Sequence, residues 1–153
     1  MPPGVKGKER RKLSVERRTQ EKTIPTLNVP RSMFYAPFTL TDEQTTALET
    51  IKQAIDKNQP KNFLLYGITG SGKTEIYMQA SAYLLQKGKS SIILVPEIAL
   101  TPQLVQRFRD RFGDHIAVIH SELAEKVRKE EWERISSGQA RIVLGTRSAI
   151  SLR

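Results

Sequence analysis

From Thr41 onward, apolar and polar positions follow two periods that alternate along the chain. Ala47, Leu48, Ile51, Ala54 and Ile55 recur at helical spacing, which predicts an amphipathic helix over about residues 42–57. Ahead of it, Thr41-Asp42-Glu43-Gln44 fits a capping box, with the Thr41 hydroxyl accepting from the Gln44 amide and the Gln44 side chain reaching back. Asn58, Gln59 and Pro60 end the helix. Phe63-Leu64-Leu65-Tyr66 is then a short apolar run between turn formers, the pattern of a buried strand. The alternation repeats three times. A helical pattern over 73–86 stops at Gly88 and leads to a strand at 92–95. The next helix opens on Thr101 as cap with Pro102 at its first position, turns Leu104, Val105, Phe108 and Phe112 inward, and stops at Gly113. A strand at 116–119, a helix over about 122–136 and a strand at 141–144 complete the series. Strands and helices alternating at this length predict an α/β fold, a parallel sheet with helices on both faces.

Composition changes that picture mainly by exclusion. The 153 residues suffice for about one ordinary domain, and 38% hydrophobic with 27% charged residues can supply a core. Cysteine is absent, which removes disulfides, Cys-ligated zinc, thiol nucleophiles and iron-sulfur clusters. His115 and His120 are the only imidazoles, so a His-based metal site is nearly excluded too. No apolar run approaches the roughly 18 residues of a membrane span, and the first residues lack the apolar core of a secretory signal. The expectation is a reduced, cytoplasmic, soluble protein with no membrane partner.

Charge is distributed unevenly. The 25 Lys and Arg against 16 Asp and Glu give +9, and residues 1–23 hold eight of those bases against Glu9, Glu16 and Glu21, which is +5 of the total. With only Val5, Leu13 and Val15 as apolar residues, that stretch cannot repay the entropy of ordering itself. It reads either as a basic arm that attracts phosphate backbones or as a solvated connector. Residues 24–40 differ: Pro25, Pro30 and Pro37 keep the chain extended among Leu27, Val29, Met33, Phe34, Tyr35 and Phe38, the composition of a strap laid on a domain. Residues 1–38 are therefore a basic, Pro-rich flexible tail or linker, and 39–153 the folded part.

The strongest chemical signal is Gly67-Ile68-Thr69-Gly70-Ser71-Gly72-Lys73-Thr74, a match to G-x-x-x-x-G-K-[ST] at a strand-to-helix junction. The glycines let the backbone ring a phosphate with inward amides, and the helix N-terminus adds fixed partial positive charge. Lys73 would reach the β and γ phosphates of ATP, and the Thr74 hydroxyl would hold the Mg2+ that bridges them. By average residue frequencies the pattern arises by chance in about one chain of this length in a few hundred. The flanking strand and helix make a chance match rarer still.

Around that loop the residues resemble a known family. The phosphate loop with Glu75, then Leu94-Val95-Pro96-Glu97-Ile98-Ala99-Leu100-Thr101-Pro102-Gln103, His120-Ser121, Trp132 and Gly145-Thr146-Arg147-Ser148-Ala149, is similar to PriA-type primosomal helicases over about residues 39–149. The resemblance implies a P-loop (RecA-like) fold and a superfamily 2 motor that binds single-stranded or forked DNA, hydrolyses ATP to unwind DNA 3′-to-5′ at stalled forks, and works with primosome and replication-restart proteins. It makes residues 67–74 motif I. Pro96, Glu97 and Thr101 fall in motif Ia, and Thr146, Arg147 and Ser148 in motif Ib, the two facing the backbone of the tracking strand. Gln44 falls where related motors read adenine. Each has a plainer alternative: Thr101 as helix cap, Gln44 as half of the capping box, Arg147 as a surface base, Trp132 as packing and Ser121 as the cap of the helix that follows.

The family's Asp-Glu-Glu-His string, which holds magnesium and orients the attacking water, does not occur in the chain, nor do the second motor domain and the cysteine-rich zinc region. The chain therefore reads as an incomplete motor domain, with no catalytic carboxylate of its own and weak or no ATP turnover. Because the strands that follow in such motors sit centrally in the sheet, the 63–66 strand is expected to keep an unpaired edge, expose apolar surface and promote aggregation. Two other classes stay open. One is a different P-loop ATPase or kinase; the other is a nucleic-acid-binding module acting through its basic arm.

Overall fold

A computed structural model describes residues 39–147. The basic tail at 1–38 and the last residues, 148–153, Ser148 among them, lie outside the described residues. Helix α1 is Asp42–Asp56, with the full capping box: the Thr41 side chain accepts from the Gln44 amide and the Gln44 side chain from the Thr41 amide. Helix α2 is Lys73–Gln86, strand β1 Ser91–Val95, helix α3 Pro102–Phe112 and strand β2 Ile116–Ile119. Helix α4 is Glu125–Ser136 and strand β3 Ile142–Thr146. Thr101 caps α3 through the Leu104 amide, with Pro102 at the first position as the sequence predicts.

The three strands form one parallel sheet in the order β1-β3-β2. Ile142 of β3 aligns with Ser91 on one side and Ile116 on the other. Arg141 fixes that start: its guanidinium donates to the Gly88 carbonyl at 2.5 Å, and its own carbonyl accepts from the Ser91 amide. All five residues of β3 are buried, as expected for the middle strand of a sheet covered on both faces.

Odd and even positions of the strands face different helices. Ile116, Val118, Ile142 and Leu144 join Met78, Ala82 and Leu85 of α2 and Phe108 and Phe112 of α3 in the main core. On the opposite face Ile119 and Val143 pack with Trp132 and Ile135 of α4, so Trp132 is a packing residue. Phe108 and Phe112 are fully buried, with ring centroids 5.9 Å apart. Burying each contributes about 1.5–3 kcal/mol. Helix α1 packs on α2, where the Tyr83 hydroxyl donates to Asp56 at 2.7 Å. None of the described helices is long and apolar enough to cross a membrane.

Three boundaries differ from the sequence expectation. Residues 63–66 form no strand, because no neighbouring strand among the described residues bonds their backbone. Leu65 is half-buried, but Phe63 is exposed and Leu64 and Tyr66 stand at 90% and 92% exposure. This is the expected exposed apolar surface, without the ladder. Helix α4 begins three residues later than predicted, with Ala124 at its cap and no side-chain bond there. Ser121 is therefore not a helix cap; its hydroxyl donates to Glu97 at 2.8 Å. Strand β3 runs to Thr146, two residues past the predicted end, because Gly145 and Thr146 still pair with Leu94 and Val95.

Candidate nucleotide and nucleic-acid site

Residues 67–72 connect the apolar 63–66 segment to α2. Gly70 and Gly72 have φ of +83° and +81°, the left-handed region that side chains resist. Gly72 is the N-cap of α2, with no side-chain hydrogen bond over the helix end. A Cβ there would also collide with the Gln44 amide. The loop thus presents a helix N-terminus to its concavity, the arrangement that binds phosphate.

Lys73 folds back into this loop. Its ammonium donates to the Gly67 carbonyl at 2.5 Å, the Ile68 carbonyl at 2.7 Å and the Ser71 hydroxyl at 3.3 Å. Gln44 holds the loop from outside: its amide nitrogen donates to the Ser71 carbonyl at 2.9 Å while its oxygen stays in the capping box. The sequence offered two roles for Gln44, cap or adenine reader. In the structure both its polar atoms are engaged, one by the cap and one by the phosphate loop. Ile68, Thr69 and Gly70 are exposed at the loop tip, and Thr74 is half-buried on the first turn of α2.

Behind the loop lies a charged cluster that the hydrophobic pattern does not disclose. Glu75, next to Thr74, is 5% exposed and faces α3. Arg111 donates to one carboxylate oxygen at 2.7 Å and Arg107 to the other at 3.2 Å; Gln79 adds a bond of 3.0 Å. Burial works against the Glu75 charge. The bonds from Arg111 and Gln79 and the field of both arginines outweigh it and hold the carboxyl below its ordinary value of 4.5. The available signal was the four-residue spacing of Arg107 and Arg111, which puts both on one face of α3.

The second group of candidates gathers past the C-terminal ends of the strands. Pro96 and Glu97 follow β1, and Glu97–Ala99 makes one 3-10 turn before the Thr101 cap. Thr146 ends β3, buried at 1% exposure, whereas Pro96, Glu97, Thr101 and Arg147 are exposed. An open groove of about 400 Å³ runs between Leu94, Pro96, Glu97, Thr146 and Arg147. Beside it a cavity of about 370 Å³ is lined by Glu97, Pro102, His120, Ser121 and Thr146. The structure thus brings Pro96 and Glu97 together with Thr146 and Arg147 at one end of the sheet, where open α/β sheets bind ligands, while Thr101 caps α3 and lines neither space. Ser148 lies outside the described residues.

Residues 37–153 match the family model described as type III restriction enzyme, res subunit. The chain belongs to that family. It is also 53% identical over 114 residues to replication restart protein PriA of Bacillus subtilis, which covers 74% of this chain and 14% of the relative. Replication restart protein PriA of Haemophilus influenzae is 56% identical over 88 residues, 58% of this chain and 12% of the relative. The resemblance read from the phosphate loop and the Pro-Glu-Ile-Ala-Leu-Thr-Pro-Gln string is therefore confirmed, over a stretch that spans about a seventh of these relatives. Among solved structures, a hypothetical ATP-dependent RNA helicase from Sulfolobus tokodaii aligns over 72% of this chain and 35% of its own, with 24% identity and a TM-score of 0.42.

Proposed function

We propose that this chain is the ATP-binding portion of an ATP-dependent 3′-to-5′ DNA helicase that acts in replication restart and primosome assembly in the cytoplasm. The phosphate loop carries the reading: left-handed Gly70 and Gly72, the open N-terminus of α2 and Lys73 inside the concavity form a donor set suited to a triphosphate. Gly67, Ile68, Thr69, Gly70, Ser71 and Gly72 supply the backbone cradle. Lys73 neutralises the β and γ phosphates by giving up its three loop oxygens. Thr74 is the residue whose hydroxyl would hold Mg2+, which would offset the charge of the phosphates. Gln44 positions the loop and borders the adenine side.

The DNA-facing role falls to the strand ends. Thr101 with Pro102 offers a helix N-terminus to a backbone phosphate, and Arg147 offers a cation across the groove. Pro96 and Glu97 shape the near wall, Thr146 supports it from beneath, and Ser148 extends the same string. Relatives carrying the PriA name support this reading over a different P-loop ATPase or a kinase.

Lys73→Ala tests the nucleotide assignment. ATP affinity is expected to fall about 10- to 100-fold, the worth of about one charged hydrogen bond. The far-ultraviolet spectrum should stay nearly intact, since Lys73 reaches only loop atoms. Unchanged ATP affinity in a folded Lys73→Ala protein would overturn the reading.

A further inference from the structure

We propose that Glu75, through its ion pairs with Arg111 and Arg107, is a positioning residue that couples the phosphate loop to the Thr101 end of α3, so that nucleotide and nucleic-acid backbone bind interdependently. This rests on the functional reading above and adds to it a physical link between its two halves.

The first link is at the loop. Lys73 bonds the Gly67 and Ile68 carbonyls and the Ser71 hydroxyl, oxygens it must exchange for those of a phosphate. The loop therefore has two arrangements, one closed on Lys73 and one closed on phosphate. Lys73, Thr74 and Glu75 are consecutive on the first turn of α2, just after Gly72 at φ +81°. A change in that turn reaches Glu75 directly.

The second link is the ion-pair cluster. Both carboxylate oxygens of Glu75 are engaged by α3, and the Glu75 and Arg111 side chains are only 6% and 7% exposed, so solvent screens their attraction weakly. Arg111 Nε and Nη2 are buried and meet no acceptor. The guanidinium thus has bonding capacity left with which to re-pair as α2 shifts. Arg111 lies ten residues beyond Thr101, about 15 Å along one continuous helix. A tilt imposed at Arg111 is delivered as a displacement of the Thr101 cap and of Pro102, which lines the cavity beside the groove.

The experiment measures linkage on the full chain. The Kd of a fluorescent ATP analogue, mant-ATP, is determined with and without a saturating 20-nucleotide oligothymidylate, and the oligonucleotide Kd with and without mant-ATP. We expect each ligand to change the affinity of the other by the same factor, at least about fivefold. In Glu75→Gln, which keeps the shape and removes the charge, that factor is expected to fall to within twofold of unity. The double variant Glu75→Leu/Arg111→Met removes both charges together, avoids stranding one in the core, and should give the same loss. A purely architectural ion pair would lower the melting temperature of the variants and leave the factor at its wild-type size, which would overturn the proposal. A wild-type factor of one, with both ligands bound, would overturn it while leaving the functional reading in place. Failure of the wild-type chain to bind mant-ATP would overturn both.

Discussion

Glu75 carries one of the clearest electrostatic consequences in the molecule. Its folded carboxyl is held below the ordinary value of 4.5, so the stability it contributes is fully present above that value and is lost as pH falls through the lowered folded value. Urea midpoints measured as a function of pH should therefore decline below about pH 4.5. Part of that decline should be missing in Glu75→Gln, where nothing titrates at this position. Asp56, also lowered by the Tyr83 hydroxyl and by Lys87, contributes in the same direction in both proteins and cancels in the comparison. At this scale the sequence was legible where a residue's partner lies within its own helix, as with the Thr41 and Gln44 capping box and the Thr101 cap. It was not legible where the partner comes from elsewhere. Ser121 looked like a cap because caps are local, yet its hydroxyl goes to Glu97 across two connections.

The elements show the same division. Helices α1, α2 and α3 and strand β2 fall within a residue of the positions their periodicity predicts, because each has a helical or continuous apolar pattern bounded by local caps or turn formers. Residues 63–66 have as good a strand pattern as 116–119, but a strand exists only with a partner's backbone, and pattern alone does not reveal whether one is present. The core they were expected to join is instead dominated by the aromatic pair on α3. Phe112→Ala should cost about 3–5 kcal/mol, measured by chemical denaturation, because neighbouring Phe108 and the sheet face it packs on cannot collapse fully into the space left. The same substitution leaves the loop around Lys73 without a changed contact.

Across the whole molecule, the sheet is covered unequally. α4 shields the β2 and β3 positions of its face, but β1 on that face leaves Ile92 at 62% exposure and Leu94 at 49%, on a strand whose outer edge is unpaired among the described strands. Together with Leu64 and Tyr66 this gives two apolar strips in one small unit, which favour association. Ile92→Lys is expected to leave stability within about 0.5 kcal/mol and to reduce concentration-dependent scattering. Light scattering across a dilution series decides it, and equal association in the variant would place the sticky surface elsewhere.

Chain order adds a constraint in time. The middle strand of the sheet, β3, is also the last described strand to be synthesised, after both of its neighbours. During translation β1 and β2 leave the ribosome with no strand to lie against, separated by the gap that β3 will fill. At about 5–20 residues per second the roughly 50 residues from β1 to β3 take several seconds. Over that interval the apolar faces of α2, α3 and β2 are available to chaperones, and a nascent chain stopped before Ile142 should remain protease-sensitive throughout.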